Sequence, residues 1–338
     1  MIDYVSSFQQ YRTKMDRKVP LTIGRDSLTP YMYPQAMEFY KQQTEGRWEA
    51  HDISFGKDIL QWAHLDPNIK DVVAGVLSGF VQTELIVGEY WGNNVGRWFP
   101  HPDIKLMAMR FSDMEGVHAI SYNQLSVSLG LDSYKAFKSD PNAAAKIGHL
   151  LECPSNTLEE KARSLATFSA FTEGVVLFSS FAILQWLKTK NLLPGVTSVI
   201  EYSIRDESLH STTGCWLFRQ LITEAPWLNT PQLWEDIYQG AKAAISIEHT
   251  FIDSVFLGRT LDGLDPYDLK QFILFRASCK LGELGSSQSF DYDKAAAERI
   301  TSWFDLYNTV SPTTDNFARR PTTYTKGAFK ANGVTFAF

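Results

Sequence analysis

The chain has 338 residues, of which 44% are apolar and 21% charged, and its formal net charge is −6. A chain of this length and composition can bury a sizeable core, as globular proteins do. The acidic balance, with no run rich in Lys and Arg, argues against nucleic acid as a partner. Neither the phosphate loop GxxxxGK(S/T) nor the dinucleotide motif GxGxxG occurs in the sequence.

The cysteines and the N-terminal sequence indicate the cellular compartment in which the protein is expected. Cys153, Cys215 and Cys279 are odd in number and far apart, which predicts neither a disulfide framework nor a CxxC metal site. The first residues lack the apolar run of a signal peptide, and no stretch of about 18 residues is free of charge. We therefore expect a cytoplasmic protein that does not span a membrane.

Proline and glycine divide the chain into segments whose apolar residues recur at three- and four-residue spacing, which predicts helices. Alternation typical of strands is scarce. Several segments far exceed the usual helix length of about 11–12 residues, which favours an all-helical bundle of long antiparallel rods. In chain order, the predicted helices span about 66–91, 102–129, 156–190, 194–223, 231–258 and a last one from 265 onward.

Local signals set the predicted boundaries. Asp66 followed by Pro67 predicts a helix start, and Gly92-Asn93-Asn94 predicts its end. Asn156 with Glu159 three residues later predicts a capping pair. Residues 1–65 carry no long periodic run and are expected to wrap a helical domain of residues 1–310. Residues 311–338, rich in Thr, Gly, Asn and Ala, are expected to form a flexible tail.

Acids and histidines stand on otherwise apolar helical faces, where a lone carboxylate would be costly to bury. The pattern occurs twice: a helix with one Glu is followed by a helix with Glu-x-x-His, whose two side chains share a face. The Glu-to-Glu intervals are similar, 31 and 34 residues. The six residues are Glu84, Glu115, His118, Glu173, Glu207 and His210.

Four helices with this inventory are what a carboxylate-bridged dinuclear iron or manganese site requires. A single Glu-x-x-His is usually a pair of surface residues, but the ordered set of six predicts two metal ions per chain. The remaining histidines lie in polar or loop contexts and are expected to be structural or exposed. They are His51, His64, His101, His149 and His249.

Tyr122 lies four residues after His118 and therefore on the same helical face as the predicted ligands. A phenol one turn from a redox-active metal pair could lose an electron and a proton to it. Leu125, Leu177 and Phe181 are candidates to shield the resulting radical. The alternative is a core aromatic whose hydroxyl is hydrogen-bonded. Ser203, one turn before Glu207, is a candidate polar group for this pocket.

The order of these residues, with the stretches EGVHAISY and RDESLH, resembles the radical-generating small subunit of class I ribonucleotide reductase. The resemblance implies a ferritin-like helical fold, a homodimer, and two metal ions held by the six residues. It further implies that the oxidised metals generate a radical at Tyr122. That radical would pass to a separate large subunit, which reduces ribonucleotides to deoxyribonucleotides.

The resemblance also implies a radical path through Trp48, Asp206 and Tyr324, with the C-terminus docking on the large subunit. The apolar anchors of that tail would be Val334, Phe336 and Phe338. Glu84 stands where the family usually has Asp, so the metal pair is left open as Fe/Fe, Mn/Mn or Mn/Fe. A flavoprotein is a candidate donor of the oxidant.

Two other functions fit a dimetal bundle. An oxidase or hydroxylase would use the metals on a bound organic substrate, and it would need neither Trp48, Tyr324 nor an apolar C-terminal anchor. A ferritin-type storage protein would form a cage, and it would not need a tyrosine beside the ligands.

Overall fold

The computed structural model describes residues 19–139 and 155–308. Within these ranges the chain is helical throughout and contains no strand, apart from one isolated bridge between Leu261 and Leu264. The predicted all-helical fold is therefore confirmed. The predicted tail, with Tyr324 and the anchors Val334, Phe336 and Phe338, lies outside the described residues, as do Cys153 and His149.

Eleven α-helices are numbered here in chain order within the described ranges. They are α1 (Pro34–Glu45), α2 (Gly56–His64), α3 (Pro67–Glu89), α4 (Pro102–Ser128), α5 (Ser133–Ser139), α6 (Leu158–Thr167), α7 (Phe178–Thr189), α8 (Pro194–Glu224), α9 (Pro231–Phe256), α10 (Pro266–Leu284) and α11 (Lys294–Asn308). Two π-helical segments, Tyr90–Val95 and Phe168–Val176, extend α3 and join α6 to α7, and Gly96–Trp98 adds a last α-helical turn after the first of them. Short 3-10 turns lie at Pro20–Thr22, Ala50–Asp52 and Pro226–Leu228.

Three of the long helices, α3, α9 and α10, begin where the sequence predicts, at a proline preceded by a capping side chain. Helices α4 and α8 also begin at a proline, but without a capping side chain. The carboxylate of Asp66 accepts the amide hydrogen of Asn68 at 2.8 Å, and that of Asp265 accepts the amide hydrogen of Tyr267 at 2.7 Å. The predicted cap of α6 is wrong by one residue.

Thr157 and Glu160 form the capping box of α6. The backbone amide of Asn156 instead donates to Glu160. The Thr157 hydroxyl accepts a hydrogen bond from the backbone amide of Glu160, and the Glu160 carboxylate accepts one from the backbone amide of Thr157.

The predicted end of α3 at Gly92-Asn93-Asn94 is also wrong. The helix continues through the π-helical segment to Trp98. Gly92 serves close packing, because a Cβ atom there would lie 3.0 Å from the hydroxyl oxygen of Ser112 on α4. A glycine inside a helix pattern thus marks a helix–helix approach in this chain as well as helix ends.

The core lies between the pairs formed by α3 with α4 and by the 158–189 segment with α8, while α9 and α10 cover the π-helical segment Phe168–Val176. Two short helices in the N-terminal part, α1 and α2, and the last helix α11 have no counterpart among the predicted elements. Helix α1 packs against α4 and α8, and this contact carries N-terminal side chains to the core.

Two segments, Pro67–Trp98 and Leu158–Thr189, are long and apolar enough to span a membrane by length and composition. In the second, 94% of the most apolar window is buried inside the protein, and in the first 56%. Such helices are common at the centre of a bundle, where they are apolar on nearly every side.

Candidate metal centre

The six predicted ligand residues meet at one place in the core. Each is fully buried, with 0% of its surface exposed. They come from four helical segments: Glu84 from α3, Glu115 and His118 from α4, Glu173 from the π-helical segment, and Glu207 with His210 from α8.

Their donor atoms form two groups of four, in each of which the atoms lie within 4.8 Å of one another. One group contains Glu84 and His118, and the other contains Glu173 and His210. Glu115 and Glu207 belong to both groups. We call the first pair the Glu84 side and the second pair the Glu173 side. Two carboxylates shared between two groups are the arrangement that bridges a pair of cations.

The two imidazoles face the shared carboxylates. On the Glu84 side, Nδ1 of His118 lies 2.9 Å from Glu115 Oε2 and 3.1 Å from Glu207 Oε1. On the Glu173 side, Nδ1 of His210 lies 2.6 Å from Glu115 Oε1 and 3.6 Å from Glu207 Oε2. Each histidine therefore presents the same ring atom to the centre.

Many of these donor atoms are not satisfied by hydrogen bonds. Apart from the imidazole contacts given above, the described residues provide no hydrogen-bond partner for both oxygens of Glu84 and of Glu207, for one oxygen each of Glu115 and Glu173, or for Nδ1 of His210. Buried polar atoms are normally paired, and four buried carboxylates repel one another. Hard carboxylate oxygens with two imidazoles fit iron or manganese cations, which would satisfy the atoms and neutralise the charge.

Without a cation, bound protons neutralise part of the negative charge of the four carboxylates. Burial and the neighbouring Glu207 carboxylate raise the pKa of Glu84 and of Glu173 well above the usual range. Burial lowers the pKa of His210, but Glu115 and Glu207 outweigh it and raise that pKa to about 9. A metal ion binding here would therefore displace protons.

The Glu173 side also has outer hydrogen-bond partners. Nε2 of His210 lies 3.0 Å from the amide oxygen of Gln43 on α1, which is 1% exposed. The indole N–H of Trp91 donates to Glu173 at 2.6 Å. Such partners fix ligand orientation and tautomer. Sequence reasoning missed both residues, and their only local signal is a polar or amphipathic side chain on an apolar helical face.

Trp48, Asp206 and His118 form one connected chain. The indole N–H of Trp48 donates to Asp206 Oδ2 at 2.8 Å, and Nε2 of His118 lies 3.2 Å from the same oxygen. Burial raises the pKa of Asp206, but Arg205 and the bonds from His118 and Trp48 outweigh it and hold that pKa at about 2. A carboxylate that is ionised at neutral pH thus connects the imidazole to the indole.

Tyr122 is fully buried beside the cluster. Its hydroxyl donates to Ser203 Oγ at 2.7 Å, and the ring of Phe80 stacks on it with centroids 4.4 Å apart. Phe181 stacks on Phe80, with ring centroids 5.7 Å apart, and Leu125 is fully buried as well. Burial and the Glu84 carboxylate raise the pKa of Tyr122 well above its usual value, so the phenol keeps its proton. Phe80 is the shielding ring that sequence reasoning missed.

Residues 25–296 match the family model of the ribonucleotide reductase small chain. This match covers well over half of the chain. The chain belongs to the ribonucleotide reductase small-chain family. Membership makes it a subunit of an oxidoreductase, as the resemblance implied.

Individual family members agree in length and fold. A probable ribonucleoside-diphosphate reductase small subunit of Invertebrate iridescent virus 6 is 26% identical, over 90% of this chain and 96% of the relative. The dimanganese(II) NrdF structure of Streptococcus sanguinis has a TM-score of 0.71 at 21% identity and covers 82% of this chain and 98% of that one. The Rnr4 homodimer structure of Saccharomyces cerevisiae has a TM-score of 0.71 at 19% identity, covering 86% and 93%.

At these identities the structural likeness speaks for the fold alone. It agrees with the ferritin-like helical fold expected for a ribonucleotide reductase small chain, which is confirmed. Neither the oxidase nor the storage-protein alternative is favoured by the family match.

Proposed function

We propose that the chain generates and holds the radical of a ribonucleotide reductase, with two metal ions in the six-residue cluster and the radical on Tyr122. The observation that carries the proposal is the position of Tyr122. It is a fully buried, hydrogen-bonded phenol one helical turn after His118, beside two ligand groups that share Glu115 and Glu207.

The metal pair, when bound and oxidised, supplies a one-electron oxidant for the tyrosine. Tyr122 gives up one electron together with its phenolic proton, which in the resting phenol is hydrogen-bonded to Ser203 Oγ. Phe80 covers the ring and is itself packed against Phe181, and this buried pocket excludes water and reductants, so a radical formed there persists.

Electrons enter and leave through Trp48, Asp206 and His118 in this proposal. The two bonds to Asp206 Oδ2 and the stacking of the Trp48 and His118 rings, whose centroids are 5.8 Å apart, support it. Tyr324 is the proposed next step, on a tail of residues 311–338 that follows the helical domain of residues 1–310. Val334, Phe336 and Phe338 would anchor that tail on the large subunit.

A homodimer is the proposed assembly. Met109, Ile120 and Val127 lie on one face of α4, and Leu85 lies on the adjacent helix α3; each is more than half exposed. Several exposed apolar residues grouped on one side of a helix pair are typical of a protein interface. The yeast relative whose fold is similar is a homodimer.

The donor set suits iron and manganese alike, so we propose Fe/Fe, Mn/Mn or Mn/Fe as the metal pair. Electron paramagnetic resonance on protein loaded anaerobically with Fe(II), Mn(II) or both, and then exposed to air, distinguishes them. A tyrosyl signal that is absent from Tyr122→Phe supports the proposal and identifies the pair.

If two metals bind per chain but air gives no radical with any loading, we expect a flavoprotein to supply the oxidant. A persistent absence of the radical with such an oxidant would contradict the role of Tyr122. Removal of the last ten residues should abolish complex formation with the large subunit, whereas an oxidase would be unaffected.

A further inference from the structure

We infer that Arg276 on α10, which is not a ligand, is a positioning residue that fixes Glu173 by holding the backbone of the π-helical segment. The inference rests on the proposed metal role of Glu173. It concerns the Glu173 side of the centre alone, because Glu173 is the one member of the six-residue cluster on the π-helical segment that Arg276 contacts.

The π-helical segment Phe168–Val176 carries Glu173 near its end. A π-helical turn pairs residues five apart, so α-helical pairing is broken where it begins and ends, and carbonyl groups there need other partners. Two such carbonyls are bound by side chains from neighbouring helices. Ser211 Oγ donates to the carbonyl of Ser169 at 2.7 Å, and Arg276 Nε donates to the carbonyl of Gly174 at 3.0 Å.

The Arg276 guanidinium is itself held in place. Its central carbon lies 3.3 Å from the ring centroid of Phe178 and 5.8 Å from that of Phe272. Both rings are buried. A planar guanidinium stacked on aromatic rings is a preorganised donor, because little side-chain freedom is lost when it makes the hydrogen bond.

Gly174 shows how closely α10 approaches this backbone. A Cβ atom at Gly174 would lie 2.8 Å from Lys280 Cε and 2.8 Å from Ser211 Oγ. The Lys280 ammonium is turned away to Glu283, which it contacts at 2.8 and 3.0 Å. The peptide that follows Glu173 is therefore packed against α8 and α10 and hydrogen-bonded to Arg276.

Glu173 is thereby fixed at two points. Trp91 binds one carboxylate oxygen from α3, and Arg276 binds the next carbonyl along the chain from α10. The other carboxylate oxygen belongs to the donor atoms without a hydrogen-bond partner among the described residues. Loss of the Arg276 hydrogen bond leaves the backbone beside Glu173 free to move. The Glu173 carboxylate should then no longer be held in position to bind the cation.

A double-mutant cycle tests this with Mn(II) binding measured by calorimetry. Glu84→Gln isolates the Glu173 side, and Glu173→Gln isolates the Glu84 side. Arg276→Met keeps the length of the side chain and removes the donor. In the Glu84→Gln background, Arg276→Met should weaken Mn(II) binding by about 10- to 100-fold, the effect typical of residues that hold metal ligands in place. In the Glu173→Gln background it should leave the remaining affinity unchanged.

The matched control is Arg259→Met, which removes another arginine bonded to a backbone carbonyl, that of Phe256 at the end of α9. It should leave both affinities unchanged. If Arg276→Met does not fold, Arg276→Lys, which keeps the charge and one donor, should show a smaller loss confined to the same side. Equal loss on both sides, or no loss on either, overturns the inference. If Glu173→Gln still binds two metals, the proposed ligand set fails instead, whatever Arg276 does.

Discussion

The two sides of the candidate metal centre use the same residue types but are built differently. On the Glu84 side, the ligands stand on the regular helices α3 and α4, and His118 connects through Asp206 to the indole of Trp48. On the Glu173 side, one ligand stands on a π-helical segment, and His210 ends at the buried amide of Gln43.

The Glu84 side and the Glu173 side therefore differ in role although their ligands are of the same residue types. On the Glu84 side, hydrogen bonds connect His118 through the Asp206 carboxylate to Trp48, and Tyr122 lies beside this side of the centre. The Glu173 side has neutral partners and backbone contacts that hold geometry. We expect changes on the first side to alter electron transfer and changes on the second side to alter metal affinity.

The largest effect is expected at a shared ligand. Glu115→Ala removes a donor from both groups and leaves two buried histidines facing fewer carboxylates, so binding should fall from two metals per chain toward none. Glu84→Ala should remove about one. Metal analysis after anaerobic loading measures both, with Glu89→Ala, an exposed glutamate on α3, as the control. Equal losses from Glu115→Ala and Glu84→Ala would contradict a shared position.

Tyr122→Phe should separate chemistry from binding. Turnover with the large subunit should be lost, while two metals per chain remain, because the phenol is not a donor in either group. Ribonucleotide reduction and metal content are measured on the same preparation. Full activity of this variant would exclude Tyr122 as the radical site and leave the dimetal centre intact.

Gln43→Ala tests the opposite side. It removes the partner of His210 Nε2 and should weaken metal binding by about 10- to 100-fold on the Glu173 side. The radical path through Trp48 does not include Gln43, so the radical formed at saturating metal should be unchanged in amount. A lower radical yield at full occupancy would show that the two sides are not separable in this way.

Metal binding should depend on pH through His210. Its pKa of about 9 lies above the ordinary value of 6.5, so the protonated ring stabilises the metal-free protein. That stabilisation is fully present below pH 6.5 and is lost as the pH rises through 9. A metal must displace this proton and any carried by the neighbouring carboxylates, so Mn(II) affinity should rise by at least about tenfold per pH unit up to that pKa. A flat profile between pH 6.5 and 9 would contradict it.

Ser203→Ala should have the smallest effect. It removes the hydrogen bond to Tyr122 and should cost about 1 kcal/mol in the free energy of unfolding. The tyrosyl radical should still form, with a high-field resonance spectrum shifted toward that of a radical without a hydrogen bond. An unchanged spectrum would show that Ser203 does not bond to the radical form.

Much of this arrangement is predictable from local sequence. Prolines mark the starts of the long helices, and three of these helices also have a preceding cap. Acids and histidines on apolar faces identify the six clustered residues, because nothing else explains their burial. The outer contacts are different. Gln43, Trp91 and Arg276 bind partners 167, 82 and 102 residues away in the chain, and no local pattern encodes such pairs. The π-helical segments are also hidden, since their apolar spacing is close to that of an α-helix.

Glu84 and Glu173 also affect whether the newly made chain inserts into a membrane before it folds. Each lies at the middle of a segment apolar enough to cross a bilayer, Pro67–Trp98 and Leu158–Thr189. An aspartate at the centre of such a segment costs about 2.5–3.5 kcal/mol for insertion by the translocon, and a glutamate carries the same charge. The glutamates that face the cluster in the finished bundle therefore also disfavour the diversion of the newly made chain into a membrane.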